Sequence, residues 1–463
     1  MNIDCRLDYS TILANQGRPV HLAVGFKAPQ ATSEERRPMA FCVVLDRSGS
    51  MAGDPLRNAK AASEIVVRNM RSGDQFALVA FDDSAQVIVP MQTLENKAAA
   101  LEAIRAIHDL GSTNLTAGWM LGRDELAKTA NGTARRVLLL SDGQLNVGVV
   151  EPDEVSRIVA DGLERSQVRT ATLGFGDGYD ENLMERLATC SGGNFYDANS
   201  ADKLPAIFAA ELEGLQKTAA QNLRIRFQPG TFCESWKLLA GYHTVALPDG
   251  RTEIAAGDLV SEESATVVFQ LEVLPLPVLP DGQPAASLDG EELVQLEILW
   301  DDLSGPEVKS CVHRQTIRIL ATQNPDDVKV NVDVIPGVAT QRTGMALEEA
   351  RNAAEAGQAE RAMEILKTTV SQLQALGDEG RTAGGIAALE RMIQELERFG
   401  GLSARSSKGY RYSSSHMRKM KSRAIWTLDE AAPGYSESSL PKPASDPLNP
   451  PDADPTADRD PQA

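Results

Sequence analysis

The rhythm of apolar and polar positions changes several times along the chain. Between Met39 and Lys217, short apolar runs alternate with longer stretches whose apolar residues recur every three or four positions. The runs are FCVVL (41–45), FALVAF (76–81), QVIV (86–89), VLLL (137–140), VRTATLGF (168–175) and NFYD (194–197). They predict strands, and their consecutive apolar residues predict burial on both faces. The longer stretches predict helices over 55–70, 95–108, 115–129, 152–166, 180–189 and 202–216, the first with Asp54 as N-cap and Pro55 at its first helical position. Such alternation predicts an α/β fold with a doubly wound, mostly parallel sheet.

From Gln221 to Asp333 the period falls to two, as in NLRIRFQ, ATVVFQLEV, LVQLEILW and RQTIRIL, broken by Pro, Gly and Asp clusters. This is the pattern of a β-sandwich or barrel. The segments NIDCRLDY and PVHLAVGF near the N-terminus alternate in the same way, and two strands are not stable alone. They are expected to complete the later sandwich, leaving the α/β unit as an insertion. Helical spacing returns over 343–398 and predicts a helical hairpin or small bundle. After Gly401 the chain is rich in Ser, Pro, Asp and Ala with few large apolar residues, which predicts a disordered tail. The expected units are therefore 1–37 (strands joining the sandwich), 38–217 (α/β), 218–336 (sandwich), 340–400 (helices) and 401–463 (tail).

A length of 463 residues exceeds what one core serves. The 65 acidic residues against 46 basic ones give a net charge of −19, which repels phosphate backbones and anionic lipid and makes nucleic acid an unexpected partner. Cys5, Cys42, Cys190, Cys233 and Cys311 are odd in number and never two residues apart, the mark of reduced thiols without a zinc or redox motif. The N-terminus has acids and no apolar signal core, and no apolar run approaches the ~20 residues of a membrane span. These features predict a cytoplasmic protein with no transmembrane segment. Within the tail, 403–423 carries cations and no acid, with Tyr410, Tyr412 and Met417 among them, whereas 429–460 is mainly acidic. The basic stretch suits RNA, acidic lipid or an acidic partner as well as a solvated linker, the last being the plainer expectation.

One loop carries the chemistry. Asp46-Arg47-Ser48-Gly49-Ser50-Met51 follows the most apolar strand and precedes a helix, the place where open α/β sheets bind ligands. Thr113, in GSTNL, and Asp142, after the strand VLLLS, stand at comparable positions. Taken together, DRSGSM, GSTNL and LLLSDG are similar to the von Willebrand factor A family, over about residues 39–217. The resemblance implies a metal-ion-dependent adhesion site holding Mg²⁺ or Mn²⁺, with Ser48, Ser50 and Thr113 ligating through hydroxyls and Asp46 and Asp142 acting through water. It implies a protein partner that presents an Asp or Glu to the metal, because a cation ringed by neutral hydroxyls keeps its charge for an incoming carboxylate. Arg47 and Asn114 are expected to pack the loops. No nucleophile and base pair is in the set, so an intracellular adaptor or scaffold, not an enzyme, is the first expectation. The alternatives are an accessory subunit of an AAA-type ATPase machine and, in a different class, a metal-dependent hydrolase. GFGDGY (174–179) lacks the third glycine of a dinucleotide fingerprint, and His21, His108, His243, His313 and His416 have no metal-ligand spacing.

Overall fold

Eight consecutive buried residues place β4 (Met39–Asp46) at the centre of the α/β unit. Its side chains alternate between two cores: Phe41, Val43 and Leu45 meet α1 (Asp54–Asn69), α2 (Lys97–Arg105) and α6 (Leu204–Gln216), while Ala40, Cys42 and Val44 meet α3 (Leu115–Ala127), α4 (Pro152–Ser166) and α5 (Glu181–Cys190). An all-apolar strand is stable only with both faces covered, and here six helices cover them. The computed structural model describes residues 1–30, 38–130, 133–141, 145–175, 179–198, 203–277, 290–305, 308–377 and 379–421. The sheet order is β6-β5-β4-β7-β8-β9, built from β5 (Gln75–Phe81), β6 (Ala85–Thr93), β7 (Ala134–Ser141), β8 (Val168–Phe175) and β9 (Phe195–Ala198). All neighbours are parallel except the edge pair β5 and β6. At α1 the cap differs from expectation: Gly53 is the N-cap, Asp54 already lies in the helix, and no side chain caps the end.

Two antiparallel-rich sheets form the second unit. One has the order β1-β3-β14-β11 and the other β12-β13-β10-β15-β16-β2. Strands β1 (Asn2–Leu7), β2 (Thr11–Leu13) and β3 (Arg18–Lys27) precede the α/β unit, while β10 (Thr218–Pro229), β11 (Cys233–Leu238), β12 (His243–Ala246), β13 (Thr252–Val260), β14 (Ser264–Val273), β15 (Glu291–Asp302) and β16 (Lys309–Thr322) follow it. β3 pairs with β14 over ten residues, so the chain leaves this sheet, builds the α/β unit and returns. The period-two positions face inward into one core, where Phe227 from one sheet stacks on Phe269 from the other at 4.8 Å.

Helices α7 (Ile335–Glu355), α8 (Ala359–Gln374) and α9 (Glu379–Phe399) pack around Leu347, Leu366, Leu389 and Met392. The expected disordered tail does not begin at 401. Residues 404–419 form α10 (Ala404–Lys419), capped by the Ser403 hydroxyl on the Ser406 N–H. This helix is polar in composition, yet Tyr410, Arg411, Tyr412, Ser413, Ser414 and Met417 are buried. Two of its cations are paired with acids of other helices: Arg411 with Glu185 of α5 and Glu355 of α7, and Arg418 with Glu348 of α7. Tyr242 donates its hydroxyl hydrogen to the Lys419 carbonyl. Residues 422–463, with the rest of the expected basic-then-acidic tail, lie outside the described residues.

Candidate metal centre

β4 lies at the switch point of the sheet, with β5 on one side and β7 on the other. α1 follows β4 on one face of the sheet and α4 follows β7 on the other, the arrangement in which open α/β sheets form a ligand-binding crevice at the carboxyl ends of such strands. Asp46 ends β4 inside it and is fully buried. Its Oδ1 accepts from the Ser48 N–H at 2.9 Å, and its Oδ2 accepts from the hydroxyl of Ser141, the last residue of β7, at 2.6 Å. The first bond turns the chain back over the strand end and brings the Ser48 and Ser50 hydroxyls to 3.1 Å from each other. Ser48 is buried, whereas Ser50 is exposed at the mouth.

Backbone hydrogen bonds bind the second loop to the first. The Leu110 N–H donates to the Arg47 carbonyl at 2.8 Å, and the Gly49 N–H to the Gly111 carbonyl at 3.2 Å. Gly111 has φ +59°, and a Cβ there would lie 2.7 Å from the Asp83 carboxylate, so the position demands glycine. Buried Thr113 follows, its carbonyl accepting from the N–H groups of Asn146 and Val147. Asn114 caps α3 through its side chain on the Ala117 N–H. Asp46, Ser48, Ser50 and Thr113 thus lie on loops tied to one another at one end of the sheet. Asp142 lies outside the described residues, one position beyond Ser141.

Asp82 is a residue that sequence reasoning missed. Arg47 places Nε and Nη2 2.7 Å from its Oδ2, and both side chains are nearly buried. Burial alone would raise the Asp82 carboxyl, but hydrogen bonds from the Ser84 N–H and hydroxyl and from Arg47 outweigh it and hold the group below its ordinary range. The pair locks the floor of the crevice, consistent with a packing role for Arg47. A signal was present in FDDS, an acid at the end of the strand parallel to β4.

The chemistry of these side chains can be tested against a cation. Among the described residues, no group of three or more His, Cys, Asp or Glu side chains is placed to hold a metal, and the oxygen groups gathered here are the Asp46 carboxylate and the Ser48 and Ser50 hydroxyls. Adjacent oxygens around an octahedral Mg²⁺, at ~2.0–2.1 Å each, lie about 2.9 Å apart. The 3.1 Å separation of Ser48 and Ser50 Oγ is close to that spacing, and the donors are all oxygen, as a hard cation requires. The residues present fit the group. Elsewhere, His21 is held between Asp8 and Arg342, and His416 by the Tyr412 carbonyl. No helix of the described residues is long and apolar enough to cross a membrane.

Comparison with known proteins bears on the fold that carries these loops. The family model for the von Willebrand factor type A domain matches residues 41–210. The Synechocystis protein sll0103 is 26% identical over 318 residues, covering 64% of this chain and 71% of that one. Human inter-alpha-trypsin inhibitor heavy chain H3 is 26% identical over 257 residues, 52% of this chain and 27% of its own length, so the chain spans about a quarter of that relative. In three dimensions the structure is similar to the von Willebrand factor type A protein of Catenulispora acidiphila, with TM-score 0.67 and 17% identity over 91% of this chain and 97% of that one. The shared fold therefore extends beyond the α/β unit to the sandwich and helices.

Proposed function

Because residues 41–210 are a von Willebrand factor type A domain, a family whose members are mostly interaction modules, we propose that the chain binds a protein partner through a divalent cation at the β4–β7 crevice. The observation that carries the proposal is the buried Asp46 carboxylate, oriented by the Ser48 N–H and the Ser141 hydroxyl beside two serine hydroxyls at near-octahedral spacing. Ser48, Ser50 and Thr113 would hold Mg²⁺ or Mn²⁺ directly, and Asp46 and Asp142 through water. When bound, the ion supplies an electrophilic position that takes a carboxylate. The chain's own residues do the rest: Asp46 sets the turn, Arg47 and Asp82 brace it, and the Leu110–Thr113 loop closes the side. An adaptor or scaffold needs no more.

Calorimetry with Mg²⁺ and Mn²⁺ tests the cation. The Asp46→Ala, Ser48→Ala double variant is expected to lose at least about 100-fold in affinity, about 2.7 kcal/mol. Equal binding by wild type and variant sinks the proposal. Affinity purification in Mg²⁺ and in EDTA, with wild type beside Asp46→Asn, then identifies the partners that need the ion.

A further inference from the structure

Far from the Asp46 loop, at the amino end of the α/β sheet, a cavity of about 490 Å³ lies where β9, α6, β13 and α10 meet. That volume is within the range of small-molecule sites. Its charged lining is Arg136, Glu211, Asp258, Glu263, Lys419 and Lys421, with Lys217 and Glu213 paired to each other beside them.

The acids of this lining are already supplied with donors. Glu211 accepts from Arg136 Nη1 at 2.7 Å and from the Tyr196 hydroxyl at 2.6 Å. Asp258 accepts from Arg136 Nη2 and from the Asn222 N–H at 3.0 Å, and its Oδ2 lies 2.8 Å from Arg169 Nε. Glu263 accepts from the Val260 N–H at 3.0 Å. The two lysines are not matched in the same way. Lys419 Nζ donates to the Gly193 carbonyl at 3.2 Å and Lys421 Nζ to the Asp258 carbonyl at 2.7 Å, and among the described residues neither ammonium has a carboxylate partner. An ammonium has three hydrogens to give, so most of their donor capacity is unused.

Both ammonium groups are held to one corner of the cavity. Gly257 has φ +86°, and a Cβ there would lie 3.4 Å from the Gly192 carbonyl oxygen and 3.5 Å from Lys421 Nζ. Lys421 therefore ends beside Gly192, while Lys419 is bonded to Gly193. The Arg136 side chain is only 7% exposed, and its buried Nε has no acceptor among the described residues. Burial pushes both lysines below their ordinary range, as happens to cations taken from water without a full counter-charge.

We infer that Lys419, Lys421 and Arg136 Nε form a site for a phosphate group, either free or carried on a small organic body. A phosphate accepts at several oxygens at once and carries close to two charges at neutral pH, which matches two ammonium groups with hydrogens left to give. The cavity has room for an organic body beside it. A ligand held there touches the α/β unit, the sandwich and α10 together, so its binding stabilises their packing by mass action. The inference is independent of the cation at the other end of the sheet.

The test is calorimetry of the full chain at constant ionic strength, in buffer free of phosphate, with inorganic phosphate and with glycerol phosphate as titrants. Wild type is expected to bind at least one of them. Lys419→Met and Lys421→Met, made separately, should each bind roughly tenfold more weakly, while their unfolding midpoints without titrant do not fall. Lys217→Met, which removes a paired cation of the same lining, should shift affinity less than about twofold, within the range of a surface ion pair. Mg²⁺ affinity should be the same in both lysine variants as in wild type. A wild type that binds neither titrant overturns the site, and so does undiminished binding by the two lysine variants or an equal loss in Lys217→Met, which would mark a diffuse charge effect.

Discussion

The two ends of the α/β sheet make opposite use of buried charge. At the carboxyl ends, Asp46 is surrounded by hydroxyls and backbone N–H groups, and Ser50 opens to solvent. At the amino ends, Arg136 of β7 and Arg169 of β8 converge on Asp258 of β13, with Arg136 also 2.7 Å from Glu211 of α6. Asn222 of β10 ties in as well, donating its N–H to Asp258 and accepting from Arg169. Lys419 and Lys421, at and just past the end of α10, donate to the Gly193 and Asp258 carbonyls. The amino end is closed by ion pairs among α/β unit, sandwich and α10. The carboxyl end is left with oxygen donors facing a crevice. Charge at one end holds units together, whereas at the other the Arg47–Asp82 pair braces a loop and the Asp46 carboxylate, under the proposed function, would receive a cation.

That contrast can be broken at several points. The largest effect should follow truncation at Leu402, which removes the buried Tyr410, Tyr412 and Met417 along with the Arg partners of Glu185, Glu348 and Glu355. A loss of about 5 kcal/mol is expected from urea unfolding, at about 1.5–3 kcal/mol per large side chain buried. An unchanged midpoint would return 404–419 to the status of a tail.

Next comes Asp258→Ala, which leaves Arg136 and Arg169 buried without their shared carboxylate and should cost about 3–5 kcal/mol while leaving Mg²⁺ affinity intact. Asp46→Asn should do the reverse. It keeps the shape and an acceptor for the Ser48 N–H, so stability should change by less than about 1 kcal/mol while cation affinity falls. If Asp46→Asn destabilises the protein as much as Asp258→Ala, the carboxyl end is structural and the comparison fails.

The smallest effect concerns Lys419. Burial, then repulsion from Lys421, pushes its ammonium down to about 8, against partial support from Glu185 and Glu211. A folded value below the unfolded one means that the unfolded chain binds more protons between about pH 8 and pH 10, so stability contributed at this position rises with pH across that window. Lys419→Met should therefore raise Tm by about 2 °C at pH 7, with the gain over wild type shrinking as pH approaches 10. A constant difference across the window would show that Lys419 does not titrate against folding.

Much of the candidate site was legible because its signals are local. Asp46, Ser48 and Ser50 lie at or just beyond the end of a strand whose seven consecutive apolar residues mark it as central, and Thr113 sits directly before a helix cap. Asp82 was harder to find, since one acid in FDDS looks like a turn residue until Arg47 is seen folded onto it. The period of three to four over 343–398 marked helices without saying how many.

For α10, composition pointed the wrong way. A Ser-rich basic stretch is solvated when alone, and it becomes a buried helix here because acids on α5 and α7 meet Arg411 and Arg418 from two sides.

By itself, then, the sequence determined what depends on neighbours in the chain: strand and helix periods, the turn after β4 and the oxygen-rich character of its loop. Only the tertiary structure decided what depends on distant partners. It set the 3.1 Å spacing of two hydroxyls on a turn whose backbone is held by a carboxylate itself fixed from β7, the convergence of Arg136 and Arg169 on Asp258, and the burial of a polar helix. Local propensity acts within a turn or two, whereas a buried charge can be paired from anywhere in the chain, and no periodicity records which partner arrives.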